Sequence, residues 1–160
     1  MAINTSNDLY NTAGIRIPTD ACVVIVRTEW NSDITLRLEN GCRKIFDSHK
    51  VQVQTIVVPG AFEIAFAIKS YWEKFGKTNE KPFAFIALGC VIKGDTPHFE
   101  YVCKAVTEGI VQLNLLLPVP TIFGVLTVDN IQQAEERLGG KHGHKGEEAA
   151  IAALKMISLF

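Results

Sequence analysis

Residues 93–98 combine features of an anion site with a side chain that moves protons. An apolar run ends at this point. Thr96 is a favoured helix N-cap, and Pro97 suits the first helical position because its missing N–H costs nothing there. We therefore expect free backbone N–H groups at the positive end of a helix, where anions bind. His98 adds a group suited to proton transfer near neutral pH. An ordinary capped helix start remains the alternative, since the Walker glycine spacing is absent.

Further side chains have types that would complete such a site. Trp30 directly follows an apolar strand pattern, where it either stacks on a flat heterocycle or covers the end of the core. Glu63 lies in a helical first turn, as an acceptor for ligand hydroxyls or as a carboxylate favoured by the helix dipole. Arg137 and Lys145 flank a glycine-rich segment. The planar guanidinium of arginine binds two phosphate oxygens at once, although a solvated basic patch is the alternative.

Histidine and cysteine spacing gives little support for a metal site. His142 and His144 form an H-x-H pair without a cysteine or carboxylate at metal-ligand spacing, so we expect no metal. No two cysteines form a C-x-x-C pair, which favours free thiols in a reducing compartment over disulfides. The four cysteines are Cys22, Cys42, Cys90 and Cys103.

Apolar runs of strand length alternate with helical patterns along the chain. Strands are predicted over 21–26, 51–58, 83–92 and 121–128, and helices from 33, over 61–75, over 98–116, from about 130 and over 147–159. Continuous apolar strands separated by helices favour a parallel sheet covered on both faces. We predict an α/β fold: a three-layer, flavodoxin-like domain with a four-stranded parallel sheet, helices on both faces and the order βαβαβαβαα.

Ligands of such sheets bind beyond the carboxyl ends of the strands. The turns that should meet at this edge are residues 27–31, 58–63, 90–98 and 125–129. In the helix over 61–75, a predicted core stripe consists of Ala61, Ala65, Ile68, Trp72 and Phe75. Phe62 and Phe66 lie off that stripe, so this helix is expected to pack on more than one side, as in a subunit contact.

Composition limits the classes of partner. The chain has 160 residues, which suits one domain over 21–160 after a polar N-terminal arm over 1–20. Its net charge of −1 gives no basic field for nucleic acid or an anionic membrane. The longest apolar run, 83–92, is shorter than the roughly 20 residues that span a bilayer. The polar start has no apolar signal core. We expect a soluble cytoplasmic protein.

Several blocks, in order and with matching spacing, resemble the lumazine synthase family over about residues 23–156. They read VPGAFEI at 58–64, LGCVIKGDTPHFEYV at 88–102, GVLT at 124–127, QAEER at 133–137 and KG at 145–146. The resemblance implies that 5-amino-6-(D-ribitylamino)uracil condenses with 3,4-dihydroxy-2-butanone 4-phosphate, giving 6,7-dimethyl-8-ribityllumazine in riboflavin biosynthesis. It implies no cofactor and no metal, because the amines of the first substrate attack the ketone.

The resemblance also assigns residues to the two substrates. The residues it places on the pyrimidine and ribityl chain are Trp30, Ala61, Phe62, Glu63, Cys90, Val91, Ile92, Phe123 and Lys145. Within that set, Trp30 would stack on the ring and Glu63 would accept from the ribityl hydroxyls. Asp95, Thr96 and Arg137 would bind the butanone phosphate, and His98 would be the proton donor.

In the resembled family the site lies between adjacent subunits of a pentamer, so Phe123 and Arg137 are expected to serve a neighbour's site. The resemblance also implies assembly into shells of sixty subunits. It further implies an association with riboflavin synthase. The departures from the common family pattern are Glu29, Ala65, Lys93 and His144, none of which is in the catalytic set. A non-catalytic flavin- or lumazine-binding protein and a related riboflavin synthase are the alternatives. The presence of both His98 and Arg137 favours the synthase.

Overall fold

A parallel sheet of four strands forms the centre of the computed structural model, which describes residues 10–159. The strands are β1 (Cys22–Thr28), β2 (Gln52–Val58), β3 (Ala84–Ile92) and β4 (Thr121–Val128), in the spatial order β2-β1-β3-β4. The helices are α1 (Ser32–Ser48), α2 (Ile64–Phe75), α3 (His98–Leu116), α4 (Ile131–Glu135) and α5 (Lys145–Ile157). This architecture confirms the predicted three-layer, flavodoxin-like α/β fold.

Alternate residues of β1 pack into two different cores, because successive side chains of a strand point to opposite faces. Val23 and Ile25 are buried with side chains of α1 and α5, whereas Val24 and Val26 are buried with side chains of α2 and α3. Complete burial of each such side chain stabilises the fold by roughly 1.5–3 kcal/mol. The continuous apolar pattern that predicted a central strand therefore reflects a sheet covered on both faces.

All five residues of the predicted core stripe are buried or pack against the core, but the prediction omitted Ile64 and Tyr71, which are buried as well. The buried residues of α2 are Ile64, Ile68 and Tyr71, whereas Ala65 and Trp72 are only half-buried. A turn of 3₁₀-helix, Ala61–Glu63, precedes α2. A 3₁₀ turn has three residues per turn instead of 3.6, so Ala61 and Ile64 align on the same side of the chain and both are buried.

The bounds of α3 match the prediction, but its cap does not. The helix begins at His98, with Pro97 in the N-cap position and no side-chain capping bond, so Thr96 does not cap it. Residues 93–97 form an exposed loop that leads into the helix, and His98 is exposed at the first helical position. The backbone N–H groups of the first helical turn still lack intrahelical acceptors, as at any helix start.

The glycine-rich segment before the last helix forms a hairpin that the sequence patterns did not predict. Strands β5 (Leu138–Gly140) and β6 (Gly143–His144) pair antiparallel. Gly139 and Gly143 have φ values of 101° and 77°, a region that favours glycine. Helix α5 then begins at Lys145, two residues earlier than predicted, because the His144 side chain caps it by accepting from the Glu147 N–H at 3.4 Å.

The predicted arm over 1–20 lies partly outside the described residues. Within the described part, Ile15 and Ile17 pack against the core between the sheet and α1 and α5. No helix within residues 10–159 is long and apolar enough to cross a membrane.

Candidate active site

Trp30 lies at the carboxyl edge of the sheet, in the turn between β1 and α1. Its side chain is 73% exposed. The Trp30 N–H donates to the Pro59 carbonyl at 3.2 Å, and the Glu29 N–H donates to the Val58 carbonyl at 2.8 Å. These bonds fasten the turn after β1 to the turn after β2, so the indole is presented to solvent from a fixed backbone.

Glu63 and Trp30 flank Gly60. A Cβ built on Gly60 would lie 3.1 Å from Oε2 of Glu63 and 3.7 Å from Cδ1 of Trp30. The glycine therefore leaves room for an indole and a carboxylate to stand side by side. Ala61 is buried beneath them, and Phe62 is exposed beside Glu63. The structure thus brings together Trp30 and Glu63, whose turns were predicted to meet at this edge of the sheet.

Asn31 connects the same turn to β3, and the sequence reasoning did not single it out. Its backbone is left-handed, with φ 56° and ψ 45°, a conformation that asparagine tolerates better than most residues. Its side-chain amide donates to the Cys90 carbonyl at 2.8 Å. The only local signal was an asparagine standing between a strand and a helix.

Cys90, Val91 and Ile92 end β3 at the edge next to Trp30. Cys90 is buried, and burial raises the pKa of its thiol to about 11. The thiol therefore stays protonated at neutral pH and does not act as a nucleophile. What this strand end offers to a ligand is backbone N–H and C=O groups together with the half-buried surfaces of Val91 and Ile92.

The anion loop follows, and all of its residues from Lys93 to His98 are exposed. The Lys93 N–H donates to the Val128 carbonyl at 2.9 Å, and the Lys93 ammonium lies 4.0 Å from Oδ1 of Asp129. These contacts tie the loop to the end of β4. Asp95, Thr96 and His98 lie at the N-terminus of α3, on the same sheet edge as Trp30.

Phe123 does not join these residues within one chain. It is half-buried in the middle of β4, paired in register with Ala87 and packed against the core beneath α2 and α3. Val128, the last residue of the strand, lies five positions further along, which corresponds to roughly 16 Å along the sheet.

Arg137 and Lys145 instead form an ionic cluster with Glu148. Nη2 of Arg137 donates to both carboxylate oxygens, at 3.1 and 3.0 Å, and the Lys145 ammonium lies 3.5 Å from Oε2. Burial lowers the pKa of Lys145, and Glu148 opposes that shift. Sequence reasoning missed Glu148, which read only as a carboxylate favoured in the first turn of a helix.

The two histidines of the H-x-H pair have local structural partners. His144 caps α5, and burial lowers its pKa, which favours the neutral ring that can accept a hydrogen bond. His142 lies 3.4 Å from a carboxylate oxygen of Glu136. Within residues 10–159, no group of three or more metal-ligating side chains is gathered.

The edge is an open surface. A shallow groove of about 450 Å³ lies beside Trp30, between the start of α1 and α4. Its lining residues are Glu29, Trp30, Asn31, Ser32, Asp33, Ile34 and Ile131. Neither Glu63 nor His98 belongs to that lining, so the described part of the chain does not by itself enclose the residues predicted to act together.

The sequence as a whole matches one family. The family model described as 6,7-dimethyl-8-ribityllumazine synthase matches residues 20–160. The protein of that name from Parabacteroides distasonis is 48% identical over 137 residues, covering 84% of this chain and 82% of the relative. Its namesake from Porphyromonas gingivalis is 45% identical over 153 residues, covering 94% and 92%. The chain belongs to the 6,7-dimethyl-8-ribityllumazine synthase family.

Proposed function

We propose that the carboxyl edge of this sheet condenses 5-amino-6-(D-ribitylamino)uracil with 3,4-dihydroxy-2-butanone 4-phosphate. The products are 6,7-dimethyl-8-ribityllumazine, phosphate and water, in a step of riboflavin biosynthesis. The observation that carries the proposal is the placement of Trp30 and Glu63 on either side of Gly60, on the same edge as the free N-terminus of α3. This edge offers a stacking surface, a hydroxyl acceptor and an anion site to one pair of substrates.

The pyrimidine substrate is assigned to the Trp30 side of the edge. The exposed indole stacks on the flat ring, and the Glu63 carboxylate accepts from the ribityl hydroxyls. Ala61 and Phe62 line the ribityl chain. Backbone groups of Cys90, Val91 and Ile92 read the edge of the ring. Stacking and hydrogen bonding place the amines toward the anion loop, so catalysis by positioning is the main task of these residues.

The butanone phosphate is assigned to the loop before α3. Free N–H groups near Asp95 and Thr96 face the phosphate, which the helix dipole favours. The Asp95 carboxylate points away, since a carboxylate beside a phosphate is repulsive. His98 donates a proton as the ketone condenses with the amine. Arg137 binds the phosphate through its planar guanidinium. The amines supply the nucleophile, so no cofactor or metal has a step to perform.

We infer that the complete site forms between subunits of a pentamer. Phe123 and Arg137 act on a neighbour's substrate, because Phe123 lies far along β4 from the Trp30 of its own chain. Large apolar side chains are also exposed on the α2 and α3 side of the sheet: Phe62, Phe66, Tyr101, Leu115 and Leu116.

Lys145 lies with Arg137, so it serves the same intersubunit site. The short β5–β6 hairpin fits a larger shell of sixty subunits, and riboflavin synthase is the proposed protein partner.

A cytoplasmic location is part of the same proposal. Cys22, Cys42, Cys90 and Cys103 are all free in the structure, as expected in a reducing compartment. Both substrates are small polar molecules.

The test is to mix the protein with both substrates and follow lumazine absorbance against the spontaneous reaction. We expect a rate clearly above the spontaneous one, and a modest fall in kcat for His98→Ala because the amine is itself reactive toward the ketone. The matched control is His49→Ala, which alters an exposed hydrogen bond at the end of α1. A rate equal to the spontaneous one would exclude the synthase and leave a binding protein of the same fold or a related riboflavin synthase.

A further inference from the structure

Glu148 is the shared anion of two cations: Lys145, one turn earlier on the same helix, and Arg137, in the turn before β5. Its side chain is only 12% exposed, and that of Lys145 only 10%. The same carboxylate oxygen, Oε2, lies 3.0 Å from Nη2 of Arg137 and 3.5 Å from the Lys145 ammonium. A buried carboxylate between two cations is tightly held, because breaking either pair leaves an uncompensated charge.

The guanidinium of Arg137 is held at two points by its own chain. Nη2 donates to both oxygens of Glu148, and Nη1 donates to the His142 carbonyl. An arginine has five N–H donors in a rigid plane, so fixing two of its nitrogens fixes the direction of the rest. Nε has no hydrogen-bond partner among residues 10–159, and 27% of the side chain remains exposed. An anion would meet this exposed part of the group.

The carboxylate itself is anchored by the fold. Glu148 lies in the first turn of α5, where the helix dipole favours a negative charge. Helix α5 is in turn pressed on α1, since a Cβ on Gly146 would lie 2.0 Å from the Leu38 carbonyl oxygen. Lys145 gives Glu148 a second countercharge. The Glu148 carboxylate is therefore held in place from both sides while the exposed part of the Arg137 guanidinium contacts a bound phosphate.

We propose that Glu148 is a positioning residue for the phosphate-bearing substrate and that it acts through Arg137. This inference rests on the proposed function, in which Arg137 binds that phosphate. Glu148 holds the guanidinium in one orientation, so the bound phosphate meets donors that are already aligned. The cost of ordering a long side chain is then met on folding and not on binding. The opposite role would be a carboxylate that competes with phosphate for Arg137. In that case, removing the Glu148 carboxylate would lower the KM for the butanone phosphate, whereas loss of a positioning residue raises it.

The test is a double-mutant cycle of Glu148→Gln and Arg137→Ala, with KM measured for each substrate. We expect Glu148→Gln to raise the KM for the butanone phosphate about tenfold, a coupling typical of residues in one ionic network. The KM for the pyrimidine substrate should stay within about twofold. In the Arg137→Ala background, Glu148→Gln should change neither KM by more than about twofold, because the guanidinium through which Glu148 acts is absent.

Glu147→Gln is the matched control. Glu147 is the neighbouring residue of the same helical turn, but its carboxylate pairs with the exposed Lys44 at 2.9 Å. We expect no change in either KM. Glu148→Asp is the second variant: it keeps the charge beside Lys145 but withdraws the carboxylate from Arg137 by one methylene. A raised KM for the butanone phosphate in Glu148→Asp would show that geometry matters even if Glu148→Gln folds poorly.

The outcomes separate this inference from the function on which it rests. A lower KM for the butanone phosphate in Glu148→Gln would show competition and overturn the positioning role. Equal effects of Glu148→Gln with and without Arg137, or equal losses for both substrates, would also overturn it. If Arg137→Ala leaves the KM for the butanone phosphate unchanged, the proposed phosphate role of Arg137 fails, and the role of Glu148 fails with it.

Discussion

At the scale of single residues, Gly60 determines how closely the proposed stacking and hydroxyl-binding groups approach each other. Its backbone is extended, with φ −145° and ψ −179°, so alanine can adopt the same conformation. The added methyl group would lie 3.1 Å from Oε2 of Glu63, which is closer than ordinary van der Waals contact. The Glu63 carboxylate must then shift, while Trp30 at 3.7 Å need not move.

Gly60→Ala is therefore expected to weaken binding of the pyrimidine substrate without unfolding the protein. We expect its KM to rise about tenfold, equivalent to ~1.4 kcal/mol from a weakened charge-assisted hydrogen bond. The thermal midpoint should not fall, because replacing glycine at a compatible backbone position stabilises slightly. Steady-state kinetics and a melting curve measure both. In a Glu63→Ala background the same change should have no further effect on KM, and a further rise would contradict the mechanism.

Which site residues the sequence predicted depends on how local their role is. Trp30 and Glu63 were identified because each stands at a strand end or helix start, and those positions can be read from a few neighbouring residues. Asn31 was missed because its partner, Cys90, is 59 positions away. Glu148 was missed because its bond to Arg137, 11 positions away, forms only after the hairpin folds back on α5.

At the scale of secondary-structure elements, Gly146 fixes the contact between α1 and α5. A Cβ at this position would lie 2.0 Å from the carbonyl oxygen and 2.8 Å from the carbonyl carbon of Leu38. These are backbone atoms of α1 and cannot rotate away. Only glycine at position 146 lets the two helices approach this closely.

Gly146→Ala is expected to destabilise the protein by about 3 kcal/mol, at the upper end for overpacking a tight contact. For a domain of this size, that lowers the thermal midpoint by roughly 6–12 °C. Differential scanning calorimetry measures the change. Gly94→Ala is the control for stability, since nothing lies within 4 Å of the Cβ it would add. An unchanged midpoint for Gly146→Ala would mean that α1 and α5 are not in this contact.

A second link between elements is the buried carboxylate of Glu39 on α1. It accepts from Nε of Arg27 on β1 at 2.8 Å, from Nε of Arg43 at 2.8 Å and from the Thr55 hydroxyl on β2 at 2.7 Å. Burial alone would raise the pKa of Glu39. The hydrogen bonds from Thr55, Arg43 and Arg27 outweigh burial and hold that pKa below its usual value.

This lowered pKa predicts the pH dependence of stability. The folded protein binds the Glu39 proton less readily than the unfolded chain, so the stabilisation is complete above the unfolded pKa of about 4.3 and is lost as pH falls through the folded value. Glu39→Gln should lower the free energy of unfolding by about 3 kcal/mol at pH 7. The difference in free energy of unfolding between this variant and the parent protein should become smaller as the pH falls. Urea unfolding at several pH values tests this.

The control is Glu73→Gln on α2. Glu73 pairs with Lys69 at 2.7 Å, but both side chains are 61% exposed, and such surface pairs contribute little. We expect a nearly unchanged stability at every pH. If the difference in free energy of unfolding between Glu39→Gln and the parent protein stayed constant down to strongly acidic pH, ionisation of Glu39 would not be the source of the stabilisation.

The long elements were predictable from the sequence and the short ones were not. Four strands and the long helices have enough residues for an apolar period to be recognised, and their order was confirmed. The strands β5 and β6 have three and two residues, too few for any period. Burial of Ile64 was not predicted for the same reason, since a single 3₁₀ turn leaves no pattern of its own.

At the scale of the whole molecule, the α2 and α3 side of the sheet carries large apolar side chains that one chain leaves uncovered. Phe66 is 76% exposed on α2, and Leu115 is 75% exposed on α3. The two helices share a core beneath this surface, formed with Val24, Val26 and other residues of the sheet. Large apolar surface of this kind marks interaction sites in natural proteins. In the proposed pentamer it is covered by neighbouring copies.

Phe66→Asp is therefore expected to break the assembly while leaving the fold of each chain intact. Burial of one phenylalanine contributes about 2 kcal/mol at every subunit contact, and a buried unpaired carboxylate adds a further penalty. Light scattering should show a smaller particle than that of the parent protein. Lumazine formation should fall with it, because Phe123 and Arg137 no longer reach a neighbour's site. Circular dichroism should remain that of the parent.

Leu36→Asp is the matched control, since Leu36 is 44% exposed on α1, which covers the opposite face of the sheet. It adds the same charge but should change neither particle mass nor activity. A parent protein that already scatters as a monomer would exclude the pentamer directly. A Phe66→Asp variant of unchanged mass would place the subunit contact elsewhere. An active Phe66→Asp monomer would mean that one chain supplies the whole site, which the position of Phe123 in the middle of β4 argues against.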